Sequence, residues 1–238
     1  MKTIKNKKLA AHINLDGAYV EDLSYGEESV FFTKSRLKLA DSYKIRGGMH
    51  VCAPNFSDDN LLKELKSHGF GRDLTWKNLE EGEDHLILGL DGIGSYEKVS
   101  FKISYKLVDN KLEVKLIVEN KDDKKVPLAP AFHPYFKTSY EDLDISGVSI
   151  NKEDLPDSIF LDKKDLSFKT KDFAIDILGK ENVSVYTIWS DFLGEYICLE
   201  PTYNGKSFMD LDKKVYYLNP NETFTQTFDI VVKENQNI

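Results

Sequence analysis

The chain has little arginine, little cysteine and no long apolar run, and each shortage excludes a class of protein. Only three of its 32 basic residues are arginines, namely Arg36, Arg46 and Arg72. Acidic residues number 40 and the net charge is −8. A chain so balanced lacks the basic face that phosphate neutralisation requires, so a nucleic-acid partner is not expected. The two cysteines, Cys52 and Cys198, lie far apart and outside any CxxC pattern, which points to reduced thiols rather than a disulfide framework. No window approaches the roughly 18 unbroken apolar residues of a membrane-spanning helix, so no membrane partner is expected. The basic start "MKTIKNKKLAAHINLDGAYV" is interrupted by His12, Asn14 and Asp16 and does not read as a signal peptide. The expected location is the cytoplasm.

What the sequence does contain is alternation. Candidate strands rich in β-branched and aromatic residues recur along the chain, separated by Gly, Asn, Asp and Pro. The clearest unit is "VSFKISYKLVDNKLEVKLIVEN", in which Phe101, Ile103, Tyr105 and Leu107 alternate with polar residues and Asp109–Asn110 mark a turn. That pattern predicts a long antiparallel hairpin with one solvated face. The run "VPLAPAFHPYF" reads as one strand, and proline on either side of His133 suggests an edge or terminal one. One short helix is expected over "SDDNLLKELKSHG", and residues 34–80 form the longest stretch without strand character. The βαβ rhythm of a parallel sheet is missing. About a dozen strands with no linker predict an all-β protein, a single domain over residues 1–238 built as a large antiparallel β-sandwich.

Four local patterns carry candidate chemistry. In "HGFGRDLTW", glycines around Phe70 let the backbone bend tightly and would fix His68 and Arg72 on a loop. In "PAFHPYF", the prolines stiffen the chain around His133, whose ordinary pKa suits proton transfer near neutrality. In "GEYICLEPTY", Glu200 ends a strand apolar on both faces, where a carboxylate is costly unless paired or shifted in pKa. In "KIRGGMHVCAPNF", Arg46, His50 and the paired glycines could hold an anion. Each also has a plain structural reading as a turn or strand end. Arginine's scarcity favours special duties for Arg46 and Arg72, since a planar donor is used where lysine will not serve. A metal is not expected, because no two of His50, His68 and Glu200 share ligand spacing on one element.

The order of these motifs is more specific than any one of them. The series "INLDGAYVEDL", "IRGGMHVCAPNF", "SHGFGRDLTW", "LAPAFHPYF" and "YICLEPTY" resembles the aldose 1-epimerase (galactose mutarotase-like) family, and within it the hexose-6-phosphate mutarotase branch. The resemblance spans nearly the whole chain. It implies a β-supersandwich, and an isomerase that interconverts the anomers of an aldohexose or hexose 6-phosphate without a cofactor. It implies Glu200 as general base, His133 as general acid and His68 as a sugar-positioning histidine. Arg46 and Arg72 would hold a phosphate, and an aspartate between the histidine and the glutamate, either Asp162 or Asp176, would touch substrate. His50 stands where that branch commonly has proline. The alternative is a non-catalytic carbohydrate-binding or sugar-sensing protein on the same fold, which would need aromatics such as Trp76, Tyr135 and Phe136 but not the acid–base pair.

Overall fold

The computed structural model describes residues 1–57, 65–207 and 215–235. The expected helix falls largely on 58–64 and so lies outside the described residues. Among these residues, two large antiparallel sheets dominate. The first has nine strands. Its eight-strand path runs Lys2–Lys5, Leu9–Asn14, Tyr19–Tyr25, Met49–Cys52, Ala131–Lys137, Tyr196–Thr202, Val185–Trp189 and Ile159–Asp162. The second has eight, ordered Asp144–Ile145, Asp165–Lys169, Phe173–Glu181, Thr223–Glu234, Lys111–Asn120, Val99–Val108, His85–Asp91 and Lys77–Glu81.

The side-chain period of two explains how the sheets meet. In the predicted hairpin, Val99–Val108 pairs with Lys111–Asn120 and buries every second residue, Phe101, Ile103, Tyr105 and Leu107 included. Asp109 makes the turn at φ 52°. The first sheet contributes Met49, Val51, Phe132, Phe136, Ile197 and Leu199 to the same core. Phe132 meets Phe228 of the second sheet with ring centroids 5.1 Å apart, and Phe136 meets Phe168 at 4.8 Å. Burial of aromatic and aliphatic area, roughly 25 cal/mol per Å², is the main force holding the layers together. The intervening residues of the first sheet necessarily face the other way. His50, Cys52, Ala131, His133, Tyr135, Cys198 and Glu200 share that outer face, and they are buried there too. Something must cover them, and loops do.

Two expectations need correction. The 34–80 stretch is not free of strands: it contains the Ser35–Lys38/Tyr43–Arg46 hairpin and the Met49–Cys52 strand. Met49–Cys52 is buried on both faces, so it lacks the alternation that marks a half-exposed strand. The proline-rich run is also not one edge strand. It divides at Ala129–Pro130 into Val126–Leu128 and Ala131–Lys137, and the second piece sits centrally, between Met49–Cys52 and Tyr196–Thr202. Pro134 cannot donate to a ladder, and the pairing shows how the sheet accommodates it. Toward Tyr196–Thr202 the register runs Ala131↔Thr202 and then resumes at Tyr135↔Cys198, leaving residues 132–134 unpaired on that side. The gap opens beside Glu200.

The loop that covers the outer face is held by one close approach. Gly69 has φ +64°, and a Cβ there would lie 2.1 Å from the Ala53 carbonyl oxygen. Gly71 N–H donates to that same oxygen at 2.9 Å. Substituting Gly69→Ala is expected to destabilise the protein by at least about 1–3 kcal/mol, read as a lowered midpoint in chemical denaturation; an unchanged midpoint would refute the close packing.

Candidate active site

A cavity of about 920 Å³ opens on the outer face of the first sheet, near the upper end of the roughly 300–1,000 Å³ common for ligand pockets. His50, His68, His133, Glu200, Arg46 and Arg72 all line it. The neighbouring strands Met49–Cys52, Ala131–Lys137 and Tyr196–Thr202 supply its floor. The register sets His133 directly opposite His50, and Glu200 lies on the strand across the unpaired gap. His133 Nε2 is 3.5 Å from Glu200 Oε1, with the two side chains 7% and 1% exposed. Among the described residues, His133 Nδ1 and Glu200 Oε2 are buried without a hydrogen-bond partner.

Aromatic rings fix the imidazole of His133. Tyr135 stacks on it at 4.7 Å and 14°, and His50 stacks at 4.8 Å and 24°. His68 and Trp189 meet it edge-on at 5.3 and 5.9 Å. Tyr19 in turn stacks on His50 and donates its hydroxyl to the Gly47 carbonyl. Phe136 plays no part, because it points into the core. Trp76 is also core, donating its ring N–H to Gly71 O. Trp189 is the tryptophan that lines the cavity.

Burial governs the site's electrostatics. It raises the Glu200 carboxyl well above its ordinary range. Burial also pushes His133 well below the usual imidazole value, with the neighbouring His68 and Arg72 adding to the effect. His50 is lowered in the same way, by burial and then by His133. His68, partly buried and near Arg72, is lowered to about 4. Its backbone has φ +67°, a conformation that costs a non-glycine residue and that clusters at functional sites. All three imidazoles are thus held toward their neutral form, and the Glu200 carboxyl is held toward its protonated one.

The other sequence candidates have different placements. Arg46 Nε and Nη2 donate to Asp191 Oδ2 at 3.0 and 2.7 Å, and Nη1 donates to Ile45 O. Its fork is thus already occupied by an internal carboxylate. Burial alone would raise Asp191, but hydrogen bonds from Arg46 and from the Tyr196 hydroxyl outweigh it and hold the carboxyl low. Arg72 is less engaged: its contact with Asp73 is 3.8 Å long, and among the described residues it makes no hydrogen bond. The two aspartates proposed from sequence are not in the cavity. Asp162 is exposed at the end of the edge strand Ile159–Asp162. Asp176 belongs to the second sheet, where it accepts from Ser167 Oγ and Lys233 Nζ; alternation along Phe173–Glu181 turns it away from the core. Asp191 does lie between His133 and Glu200 in sequence and beside the site. Its turn, "WSDFLGEY", carried no signal beyond an Asp and a Gly.

Comparison with known proteins follows this geometry. The aldose 1-epimerase family model matches residues 2–174, a span that holds His50, His68, Arg72 and His133 but stops short of Glu200. No protein of curated function matches the sequence. Among solved structures, the galactose mutarotase related enzyme from Lactobacillus acidophilus is similar in fold, with TM-score 0.81 at 16% identity over 99% of this chain and 98% of that one. A galactose mutarotase-like protein from Lactobacillus casei gives 0.80 at 17% identity, covering 98% of this chain and all of its own. A Synechocystis protein gives 0.78 at 17% identity, with 98% and 95% covered. The structural likenesses establish the galactose mutarotase-like fold, and the match over residues 2–174 establishes the lineage: the chain belongs to the aldose 1-epimerase family.

Proposed function

We propose that the chain is a mutarotase that opens and recloses the ring of an aldohexose, with His133 and Glu200 as its proton-transferring pair. The observation that carries this reading is their 3.5 Å approach on the floor of a sugar-sized cavity. Opening a hemiacetal requires removal of the O1 proton and delivery of a proton to the ring oxygen, with no covalent intermediate. In the sense the family implies, the one proton of the pair first passes from Glu200 to His133 across their 3.5 Å separation; the Glu200 carboxylate then takes the O1 proton while the His133 imidazolium gives its proton to O5. The pair is then a neutral carboxylic acid beside a neutral imidazole. Rotation about C1–C2 presents the other carbonyl face. On closure Glu200 returns its proton to O1 and His133 recovers one from O5.

The electrostatics assign a state to each half of that cycle. Burial favours the neutral pair, which is the pair's form in the ring-opened complex. The floor therefore stabilises the intermediate relative to the closed anomers, which is where a catalyst of this kind gains rate. Throughout, the pair holds a single proton. A second would block the base and none would leave no acid. His68 faces the same space and would position the sugar. Arg72 is the cavity's less engaged guanidinium, so we assign it, rather than Arg46, to a 6-phosphate or other anionic substituent. Arg46 and Asp191 instead brace Trp189, over whose ring the guanidinium carbon lies at 5.3 Å.

Polarimetric or coupled mutarotation assays on α-glucose, α-galactose and α-glucose 6-phosphate test the assignment. Glu200→Gln and His133→Asn are each expected to lower kcat by about 10²–10⁴-fold. No acceleration by the wild type, or full rates in both variants, would overturn it. Activity should follow a bell in pH whose two limbs are both displaced from the free-residue values. It falls on the acid side only below the ordinary imidazole range, since His133 is lowered. It falls on the alkaline side above the ordinary carboxylate range, since Glu200 is raised. An Arg72→Lys variant should lose any preference for the phosphorylated sugar.

Stability supplies a second check, independent of substrate. A raised Glu200 means that the folded chain binds more protons than the unfolded one above the ordinary value of 4.5. Its contribution to stability is thus lost as pH rises through the folded-state value. Glu200→Gln removes this penalty, so the variant should be more stable than the wild type, with the gain growing as pH increases. A pH-independent difference, measured by denaturation at several pH values, would contradict the buried-acid description.

A further inference from the structure

The floor of the cavity holds a second cluster of reactive side chains that proton transfer does not use. His50 and Cys52 stand two residues apart on Met49–Cys52, so both leave the sheet on one face. His68 descends on them from the covering loop, with Nδ1 3.4 Å from Cys52 Sγ. One ring nitrogen each of His50 and His68 and the Cys52 sulfur all lie within 4.8 Å of one another. Among the described residues, both ring nitrogens of His50 are buried without a hydrogen-bond partner, a cost of about 1–3 kcal/mol for each unmet polar group. A proton donor or acceptor is therefore missing from His50's surroundings, and a cation would satisfy one nitrogen.

We propose that His50, Cys52 and His68 form a binding site for a thiophilic divalent cation of the Zn²⁺ type, and that its occupancy switches the epimerase off. Two imidazoles and a thiolate are a borderline-soft donor set that disfavours Mg²⁺ and Ca²⁺. Zn–S and Zn–N lengths of about 2.3 and 2.0–2.1 Å put neighbouring tetrahedral ligand atoms roughly 3.3–3.6 Å apart. The cluster reaches that span with side-chain adjustments on the order of 1 Å. His50 and His68 line the cavity, which leaves a fourth position for water or a substrate oxygen. Binding releases the Cys52 proton, and the thiolate and the imidazole nitrogens each donate a lone pair to the ion. Inhibition follows from proximity. The rings of His50 and His68 lie 4.8 and 5.3 Å from that of His133, so an ion bound between them fixes the ring that stacks on His133 and withdraws His68 from the sugar.

A competing arrangement exists a few ångströms away, where His133, Cys198 and Glu200 also bring ligand atoms within 4.8 Å of one another. There the two members that face each other, His133 and Glu200, are the pair assigned to proton transfer, whereas no member of the first cluster exchanges a proton with the sugar. The effect on rate rests on the epimerase reading; the binding does not.

The test is titration of the full-length, chelator-treated protein with Co²⁺ and then Zn²⁺. Co²⁺ is expected to produce a thiolate-to-metal charge-transfer absorption that saturates at a single equivalent and is displaced by Zn²⁺. Cys52→Ser should abolish the band and weaken Zn²⁺ binding by more than the roughly 10–100-fold that losing an outer-sphere partner costs. Cys198→Ser should retain both. His50→Asn, which leaves the thiol in place, should weaken binding as well and serves if Cys52→Ser does not fold. In the mutarotation assay, Zn²⁺ should inhibit the wild type and Cys198→Ser. No charge-transfer band in the wild type, or a band lost with Cys198→Ser and kept with Cys52→Ser, would overturn the proposal. The absorption decides the matter even if the protein proves to catalyse no mutarotation.

Discussion

Everything distinctive about this protein depends on setting an imidazole and a carboxyl 3.5 Å apart on a dry surface. In water such a pair would be an ordinary ion pair of little consequence. On the outer face of the first sheet, with Glu200 and His133 almost wholly buried, charge is costly for both members and the neutral form gains. The same desolvation that would destabilise a purely structural carboxylate pushes the pair toward sharing one proton, the form the proposed reaction needs. Stability and chemistry are opposed at this position, and the rest of the sandwich supplies the stability.

The surroundings of the pair are set by residues that take no part in the proposed proton transfer. Pro134 interrupts the ladder beside Glu200, so the sheet is locally open where the two side chains meet. Tyr135 and His50 close on the two stacking contacts of the His133 ring and limit its rotation. Gly69 lets the covering loop approach Ala53 closely enough to set His68 and Arg72 against the cavity. A rigid core behind and a tight loop in front leave the substrate little to organise, which is the condition for effective proton transfer.

The parts of this arrangement that follow a period were legible in the sequence. The hairpin around Asp109–Asn110 and the doubly apolar strand ahead of Glu200 both have the form that their patterns imply. What depends on tertiary partners was not. Proline in the His133 strand pointed to an edge, because nothing local reveals that a central strand can leave three residues unpaired on one side. Arginine's scarcity singled out Arg46, but nothing local announced that its guanidinium pairs with a carboxylate 145 residues away. The aspartate beside the site is Asp191, found in a turn, while Asp162 and Asp176 are directed elsewhere by strand position and alternation. His50 and Cys52 share strand spacing that is visible once sulfur is counted among the ligands.

If burial sets the proton as proposed, Glu200 rests as a neutral acid beside a neutral His133. Infrared difference spectroscopy of the wild type against Glu200→Gln near pH 7 reads that state. A carboxylic-acid carbonyl stretch is expected in the wild type and is lost in the variant. Carboxylate stretches in its place would show Glu200 ionised at rest and would overturn the buried-acid reading of the pair.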